Sequence, residues 1–394
     1  MSLNLDKSTW KRVFLGDVAT ASKEKVDPTD GSIERYVAGE HMASNDLKIR
    51  RWGDIGDVEL GPAFHRRFRP GQVLYGSRRT YLRKVAVADF DGVCANTTFV
   101  IEPKDSDVLL QEFLPFIMTA EPFHAFAIAE SKGSVNPYVN WTDIERYEFD
   151  LPPLDEQKRL ADLLWKTEVH RNELSEVEDA ARQLRKAWLH SLFEDAETSG
   201  GFVKLDSLVD PERPICYGVL MPGAEFDGGR LIVDVKDYPT GQIRVDEVRR
   251  CDPNIEAGFK RSRLRTGDVL LSIRGTIGRV AIVPSELDGH NISRDSARIS
   301  GNPDKVVPEF LRLIMESPDV QNEVQRTTTG LAVKGINVAR IRDLAVPNWS
   351  IAMQHEAVMS NARLEASITA TVDESASLSA VHSSILADIF GGAQ

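Results

Sequence analysis

The stretch LPPLDEQKRLADLLWKTEVHRNELSEVEDAARQLRKAWLHSLF, residues 151–193, decides the fold. Its apolar residues recur three and four positions apart with charged residues between them, which is typical of a long amphipathic helix. Pro152 and Pro153 disfavour helix upstream, and Asp155 and Glu156 follow where the positive end of the helix dipole would lie. The spacing predicts one helix of about 40 residues, roughly 60 Å long at about 1.5 Å per residue.

Read as heptads, this helix has two seams, which indicates a partner helix. The first seam would contain Leu160, Thr167, Leu174, Ala181 and Trp188, and the second Leu163, His170, Val177, Leu184 and Ser191. A second candidate helix covers Ile351 to Phe390. The candidates for contacts within the helix pair or with a docked partner are Leu160, Leu163, Leu174, Val177, Leu184, Trp188, Leu364, Ile368, Leu378, Val381 and Ile385.

Length and composition favour a soluble globular protein. The 394 residues have room for two or three domains, and 42% of them are hydrophobic and 27% charged. No secretory leader or membrane-spanning stretch is recognisable, so we expect a cytoplasmic protein. Cys94, Cys216 and Cys251 are too far apart to suggest a zinc cluster, and we interpret them as reduced thiols.

An internal repeat organises the chain. EFLPFIM at 112–118 returns as EFLRLIM at 309–315, an offset of 309 − 112 = 197 residues. At the same offset, Gly133, Asn140, Ile144, Gln157 and Phe193 return as Gly330, Asn337, Ile341, Gln354 and Phe390. An ordered series of matches predicts a duplication of domain plus helix.

The repeat predicts an α+β fold with four parts. These are a first α/β domain at 1–150, a first long helix at 151–197, a second α/β domain at 198–347 and a second long helix at 348–394. Because the first helix carries the chain to the second domain and the second helix begins there, we expect the two helices to be antiparallel, with the copies related by an approximate two-fold axis.

The net charge of −12 hides a segregation of charge. Residues 60–85 contain seven Lys and Arg and no Asp or Glu, and residues 249–279 contain eight against three. Such basic stretches, present in both copies, favour a nucleic-acid surface over a merely solvated face. The candidate DNA-binding residues are Arg66, Arg67, Arg69, Arg78, Arg79, Arg83, Lys84, Lys132, Lys260, Arg261, Arg263, Arg265, Arg274, Arg279 and Lys334.

The search for catalytic motifs predicts no catalytic, cofactor or metal site. Asn136-Pro137-Tyr138 lacks the second proline of the amino-methylating DNA methyltransferases, and Gly275-Thr276-Ile277-Gly278 lacks the remainder of a phosphate loop. His355-Glu356 lacks the second histidine of a zinc protease helix. We therefore predict that the chain is not an enzyme.

LPPLDEQKRLADLL, at 151–164, resembles the PLPPLxEQxxI helix start of specificity subunits of type I restriction-modification systems. The resemblance covers nearly the whole chain, including the domain-helix-domain-helix order and the Gly-Asp-Val-Leu turn at 267–270. The second copy departs from it, since VPNWSIAMQHEAV keeps a proline and the glutamine but loses the Pro-Pro-Leu and Glu-Gln pairs.

The resemblance implies two target-recognition domains, each of which reads one half of a split target in double-stranded DNA. It implies that the helices set the gap between the halves and dock two methyltransferase subunits, and that a restriction and translocation subunit joins them. S-adenosylmethionine would belong to the methyltransferase partner, and ATP and Mg²⁺ to the restriction partner. Two alternatives are a non-catalytic adaptor that acts through its helices, and the recognition subunit of a related bifunctional restriction-methylation system.

Overall fold

The computed structural model describes residues 3–57, 59–328 and 335–391. The chain divides into two compact units. Unit 1 contains Met1–Glu176 and Val372–Gln394, and unit 2 contains Val177–Thr371.

Unit 1 combines short strands with helices. Its strands are β1 (Lys11–Phe14), β2 (Ala19–Ala21), β3 (Arg35–Val37), β4 (Gly53–Asp54), β5 (Phe64–Phe68), β6 (Val73–Gly76), β7 (Val85–Val87), β8 (Gly92–Ala95), β9 (Thr98–Pro103) and β10 (Glu148–Leu151). Its helices are α1 (Leu15–Val18), α2 (Leu114–Thr119), α3 (Glu121–Ala129), α4 (Trp141–Ile144) and the first half of α5 (Leu154–Ser199).

Two four-stranded sheets and one strand pair build unit 1. Their strand orders are β2-β9-β6-β7, β4-β3-β8-β5 and β1-β10. The pair β3 and β8 is parallel and the other pairs are antiparallel. Phe116 of α2 and Leu160 of α5 are fully buried in the main core. Burial of such a side chain contributes about 1.5–3 kcal/mol, so the start of α5 is part of the domain core.

Unit 2 repeats this set of elements. Its strands are β11 (Phe202–Lys204), β12 (Cys216–Tyr217), β13 (Arg230–Val233), β14 (Arg250–Cys251), β15 (Val269–Ser272), β16 (Val280–Ile282), β17 (Asn291–Ile292), β18 (Ser296–Ile299) and β19 (Ala345–Pro347). Its helices are α6 (Pro253–Glu256), α7 (Pro308–Glu316), α8 (Pro318–Arg326), α9 (Val338–Arg342) and the first half of α10 (Ile351–Phe390).

The sheets of unit 2 confirm the duplication. Their strand orders are β12-β18-β15-β16, β14-β13-β17 and β11-β19. The orders β12-β18-β15-β16 and β11-β19 match those of unit 1 with equivalent strands substituted. The order β14-β13-β17 matches β4-β3-β8 and lacks a counterpart of β5, and the pair β13 and β17 is parallel like β3 and β8. The fold is therefore two copies of one α/β domain, each followed by a long helix.

A buried glutamine explains the motif at the start of each long helix. Gln157 accepts a hydrogen bond from the Leu110 amide and donates to the carbonyls of Val108 and Pro152, each at 2.9 Å. Gln354 accepts from the Val307 amide at 2.8 Å and donates to the carbonyls of Lys305 and Trp349 at 2.9 Å. Both side chains are at most 1% exposed. The glutamine thus joins the start of each long helix to the loop before α2 in unit 1 and to the loop before α7 in unit 2.

The two long helices are antiparallel where they contact each other in unit 1. Thr167 Oγ1 lies 2.6 Å from His382 Nδ1, and His170 Nε2 lies 3.2 Å from Glu374 Oε1. The position along α10 therefore falls as the position along α5 rises. In unit 2, Arg185 of α5 contacts α10 through Asn361 at 2.8 Å and Glu365 at 3.0 Å.

The predicted second seam is wrong at Val177 and Leu184, which are exposed by 53% and 58%. His170 of this seam is also exposed but contacts Glu374 of α10. Charged residues instead lie four positions after residues of the first seam, on the face where the helices meet. Arg171, four after Thr167, bonds the buried Glu168 at 2.5 Å, and Arg185, four after Ala181, bonds Glu365. These ion pairs satisfy polar side chains in the helix contact, which hydrophobic periodicity does not register.

Burial further divides the helix candidates. Leu160, Leu174, Ile368 and Ile385 are buried, and Leu163, Trp188, Leu364 and Leu378 are half-buried. Val177, Leu184 and Val381 are exposed. Among the described helices, none is both long and apolar enough to cross a membrane.

Candidate nucleic-acid interface

In unit 1, the first turn, defined as Ser77–Lys84, follows the central strand β6. The amide of Ser77 donates to the carbonyl of Thr97 at 2.9 Å, and the amide of Val139 donates to the carbonyl of Ser77 at 3.0 Å. Within the turn, Thr80–Leu82 form a short 3-10 helix. The amide of Arg79 donates to the carbonyl of Pro137 at 2.5 Å. Backbone hydrogen bonds therefore join the turn to the segment between β8 and β9 and to the segment before α4.

The first turn presents cations that have no acceptor. Arg78 and Arg79 are exposed. Within the parts of unit 1 that the structure describes, no hydrogen bond or ion pair involves either guanidinium. Tyr81 between them and Lys84 is 53% exposed. An aromatic ring beside unpaired arginines suits contacts with nucleic acid.

The field around Lys84 is positive. Burial lowers the pKa of Lys84, and repulsion from Arg79 and Arg51 lowers this pKa further, while Glu40 raises it. The ammonium donates to the carbonyl of Gly39. Arg51, which the sequence did not single out, is an exposed member of this cluster. A cluster of like charges with a single opposing carboxylate attracts an anion.

Other cations predicted in the first domain are already engaged. Arg67 bonds Asp91 at 2.6 Å, Arg69 bonds Glu24 at 2.7 Å, and Arg83 bonds both carboxylate oxygens of Glu121 at 2.7 Å. Lys132 bonds Asp143 at 2.8 Å, and this contact lowers the pKa of Asp143. Arg66 donates to the carbonyl of Thr98 at 2.9 Å. These contacts give each side chain a partner inside the domain, and DNA contacts by these residues stay a prediction.

In unit 2, the second turn, defined as Ile273–Arg279, follows β15 as the first turn follows β6. The amide of Ile336 donates to the carbonyl of Ile273 at 3.1 Å, as Val139 does to Ser77. Arg274 forms an isolated β-bridge with Gly335, and Arg78 forms one with Tyr138. Arg78 and Arg274 therefore occupy the same place in the two copies.

The cations of the second domain divide in the same way. Lys260, Arg261, Arg265 and Arg274 are exposed and have no side-chain partner among the described residues of unit 2. Arg263 forms two hydrogen bonds with the buried Glu256, at 2.8 and 2.7 Å, and Arg279 donates to the carbonyl of Val235 at 3.0 Å. Lys334 lies outside the described residues. Among the candidate residues that the structure describes, the free cations are therefore Arg78, Arg79, Lys260, Arg261, Arg265 and Arg274.

The cysteines and the possible metal ligands form no metal site among the described residues. Cys94, Cys216 and Cys251 are buried free thiols, as the sequence predicted, and burial raises the pKa of Cys94 to about 12. No group of three or more His, Cys, Asp or Glu side chains within residues 3–57, 59–328 and 335–391 is arranged to hold a metal ion.

A duplicated α/β domain, a long helix after each copy and a free arginine on the same turn of both copies define a class of helix-linked tandem-domain proteins. The family model described as the type I restriction modification DNA specificity domain matches residues 7–179. Residues 7–179 are therefore similar to the specificity domain of type I restriction-modification systems, as the sequence resemblance implied.

Two curated relatives come from Escherichia coli. The chain is 29% identical to the type I restriction enzyme EcoBI specificity subunit over 270 residues, which cover 62% of this chain and 57% of that protein. It is 28% identical to the EcoDI specificity subunit over 153 residues, which cover 39% of this chain and 33% of that protein. The matches thus span less than two thirds of either relative.

Solved structures share the fold over the whole chain. One is a chain from a structure of complex assembly and conformational transition of the type I R-M system, with a TM-score of 0.62, 21% identity, and coverage of 97% of this chain and 98% of that chain. Another is the type I restriction-modification system S subunit from M. genitalium, with a TM-score of 0.59, 14% identity and full coverage of both chains. These likenesses confirm the predicted fold class.

Proposed function

We propose that this chain is the non-catalytic DNA sequence-recognition subunit of a type I restriction-modification complex. In this proposal, each domain reads one half of a bipartite target in double-stranded DNA. The observation that carries it is the repeated domain with a free, exposed arginine, Arg78 or Arg274, at the same turn of each copy. Guanidinium groups suit both phosphate oxygens and the O6 and N7 atoms of guanine. The curated relatives are named specificity subunits, which supports the proposal.

The long helices are proposed to dock two methyltransferase subunits and to set the spacing between the half-sites. Three of the helix candidates, Val177, Leu184 and Val381, are exposed apolar residues, 53%, 58% and 43% accessible. Leu184 and Val381 are equivalent in the repeat, because 381 − 184 = 197. Equivalent apolar residues on both helices would suit two copies of one partner.

The chemistry is proposed to lie in the partners. S-adenosylmethionine would be bound by the methyltransferase subunits, and ATP and Mg²⁺ by a restriction and translocation subunit. The complex would act on DNA in the cytoplasm. The purified chain alone should then transfer no methyl group from S-adenosylmethionine to DNA and should cut no DNA. Methyl transfer by the isolated chain would contradict the proposal.

Half-site recognition is the direct test. The chain is co-expressed with a methyltransferase subunit, and methylome sequencing identifies the bipartite target. Gel shifts then compare Arg78→Ala and Arg274→Ala complexes on that target and on single-base variants of it. We expect each substitution to weaken binding through its own half-site alone, by roughly 5- to 150-fold at one base pair where the arginine reads a base.

A matched control separates recognition from general loss of charge. Arg12 is a surface arginine whose guanidinium already contacts Glu148 at 3.2 Å and Asp150 at 3.3 Å. Arg12→Ala should leave DNA binding unchanged. A complex that assembles but binds no duplex would instead favour the non-catalytic adaptor.

The spacing role has a separate test. Removal of seven residues from each long helix preserves the heptad phase and shortens the pair by about 10.5 Å. Because B-DNA rises about 3.4 Å per base pair, the preferred gap should contract by up to about three pairs. Methylome sequencing should then show the same half-site bases with a smaller gap, and an active variant with the original gap would exclude this role.

A further inference from the structure

Two arginines of the first turn have a backbone conformation that favours glycine. Arg79 has φ = 51° and Arg83 has φ = 50°, and these residues flank the short 3-10 helix Thr80–Leu82. Among the described residues, Asn45 is the remaining non-glycine residue with positive φ. Side chains other than glycine and, to a lesser degree, asparagine are strained in this left-handed region.

The second turn is one residue shorter and has glycine at both of its left-handed positions. Gly275 and Gly278 occupy the equivalent positions and have φ = 68° and 95°. The equivalence rests on hydrogen bonding: the amide of Gly76 donates to the carbonyl of Lys84 at 3.0 Å, and that of Ser272 donates to the carbonyl of Arg279 at 2.9 Å. Each left-handed pair thus lies between two matched ends of a β-hairpin. The first copy has arginine where the second has the residue that the backbone favours.

One of the two strained arginines has a partner inside the domain. Arg83 forms a two-pronged ion pair with Glu121, with both distances 2.7 Å. This contact accounts for a side chain at position 83. Arg79 is exposed, and its guanidinium has no partner among the described residues of unit 1. Its side chain is therefore placed at an energetic cost with no contact in this chain to offset it.

The surroundings of Arg79 select the kind of partner. Arg78 is a free cation beside it. The charge of Lys84 interacts with those of Arg79 and Arg51. Thr80, which follows Arg79, is 3% exposed, so the backbone that carries the guanidinium is anchored in the domain. A guanidinium on an anchored backbone in a positive field suits a pair of acceptor atoms on an anion.

We propose that Arg79 is a specificity-determining residue of the first domain and that its guanidinium contacts a pair of acceptor atoms on duplex DNA. The second domain has Gly275 at the equivalent position and makes no such contact. The acceptor pair is either O6 and N7 of guanine or the oxygens of a phosphate. This inference rests on the proposed DNA-recognition function and assigns an asymmetry between the two half-sites. The strain at Arg79 is retained because the side chain is needed by a partner outside the chain.

The test uses the assembled complex with Arg79→Gly and Arg79→Lys. Arg79→Gly relieves the strained backbone, so it should not lower the melting temperature, yet it should weaken DNA binding. Arg79→Lys keeps the charge but loses the two-pronged geometry. Arg12→Ala serves as the DNA-binding control, and Arg83→Gly serves as the stability control because it relieves similar strain but loses the Glu121 contact.

The two acceptors give different binding profiles. If Arg79 reads guanine, Arg79→Gly and Arg79→Lys should both lose roughly 5- to 150-fold of discrimination at one base pair of the first half-site. If it contacts phosphate, Arg79→Gly should weaken all targets alike and reduce the slope of log affinity against log salt by about 1, whereas Arg79→Lys should retain most binding. Either profile supports the contact with DNA.

Three results would overturn the assignment. An Arg79→Gly complex that binds every target like the unsubstituted complex at all salt concentrations excludes Arg79 while the recognition function stands. Loss of the methyltransferase subunit with unchanged DNA binding would assign Arg79 to a protein contact. An unsubstituted complex that binds no specific duplex would remove the recognition function itself and the Arg79 contact with it.

Discussion

The first turn and the second turn have matched hydrogen-bonded ends but differ in length by one residue and in the side chains near them. In unit 2, Gln321 of α8 donates to the carbonyls of Gly278 at 2.9 Å and Met315 at 2.6 Å. The equivalent residue in unit 1 is His124 of α3, since 321 − 124 = 197. His124 is 2% exposed, and its Nε2 has no partner among the described residues.

Gly278 and Gln321 are matched to each other. A Cβ at position 278 would lie 2.4 Å from Gln321 Oε1, so this glutamine needs glycine opposite it. The first copy has Arg83 there and a histidine instead of the glutamine. The difference teaches that the duplication preserved the hydrogen-bonded hairpin ends, while the two arginines in the left-handed conformation belong to the first turn and the glycines to the second. Such backbone strain is expected at functional sites.

The largest expected effect tests what the two units share. Gln157→Leu should destabilise unit 1 by about 4 kcal/mol, because one amide and two carbonyls lose a buried partner. Gln354→Leu should destabilise unit 2 by the same amount. Denaturant unfolding of the full chain measures both. Gln111→Leu is the control, since its side-chain amide makes a single bond, to the Gly71 carbonyl at 2.7 Å, and a loss near 1 kcal/mol is expected. Equal losses of unfolding free energy for the Gln111 and Gln157 variants would contradict the role of Gln157 in joining the helix to the loop.

The next effect distinguishes the units by pH. Burial lowers the pKa of His124 to about 4, aided by Arg83 and opposed by Glu121. The unfolded state therefore binds a proton between about pH 6.5 and 4 that the folded state does not, so stability is full above pH 6.5 and falls as pH falls through this window. The loss at its acid limit is about 3 kcal/mol.

This pH dependence should become smaller when unit 1 is given the residue pair of unit 2, and a part should remain because burial also lowers the pKa of His382 in unit 1 to about 4. We expect the double variant His124→Gln with Arg83→Gly to lose less stability than the parent between pH 6.5 and 4, measured by thermal unfolding. Arg83→Gly alone is the control and should keep the dependence. An unchanged slope in the double variant would show that His124 does not carry it.

A smaller effect concerns the strained position itself. Arg79→Gly should stabilise unit 1 by about 1 kcal/mol, and Gly275→Arg should destabilise unit 2 by about the same amount. A Cβ at Gly275 meets no atom within 4 Å, so the conformation of the backbone rather than space sets the cost. Thermal unfolding measures both variants. A loss of stability in Arg79→Gly would mean that the side chain supports the fold.

The smallest expected change in stability belongs to the helix surfaces. Leu184→Ser and Val381→Ser should change the free energy of unfolding by less than about 0.5 kcal/mol, because both side chains are exposed. Each should nevertheless reduce co-purification of the methyltransferase subunit. Gln183→Ser, at an exposed neighbouring position, is the control. Undiminished complex in both variants would place docking elsewhere.

The accuracy of the sequence predictions varied with the range of the interaction. The repeat offset of 197 predicted the duplicated domain and the equivalence of Gln157 and Gln354, because a duplicated sequence preserves the order of its elements. The heptad pattern predicted a helix pair but misplaced one seam. It favoured Val177 and Leu184 over Arg171 and Arg185, whose charges are satisfied across or along the helices. The pattern of apolar residues does not report such pairing.

By itself, the sequence determined that the chain is a duplicated α/β domain with long helices and basic stretches in both copies. Those properties depend on composition and on spacing along the chain. Only the tertiary structure decided which cations are free, since Arg83 meets Glu121 and Arg69 meets Glu24 across 38 and 45 residues of sequence. It also decided that Arg79 has a left-handed backbone conformation, at the position equivalent to Gly275 in the second copy. Ion pairs and backbone strain depend on distances and angles in space, which local sequence patterns do not specify.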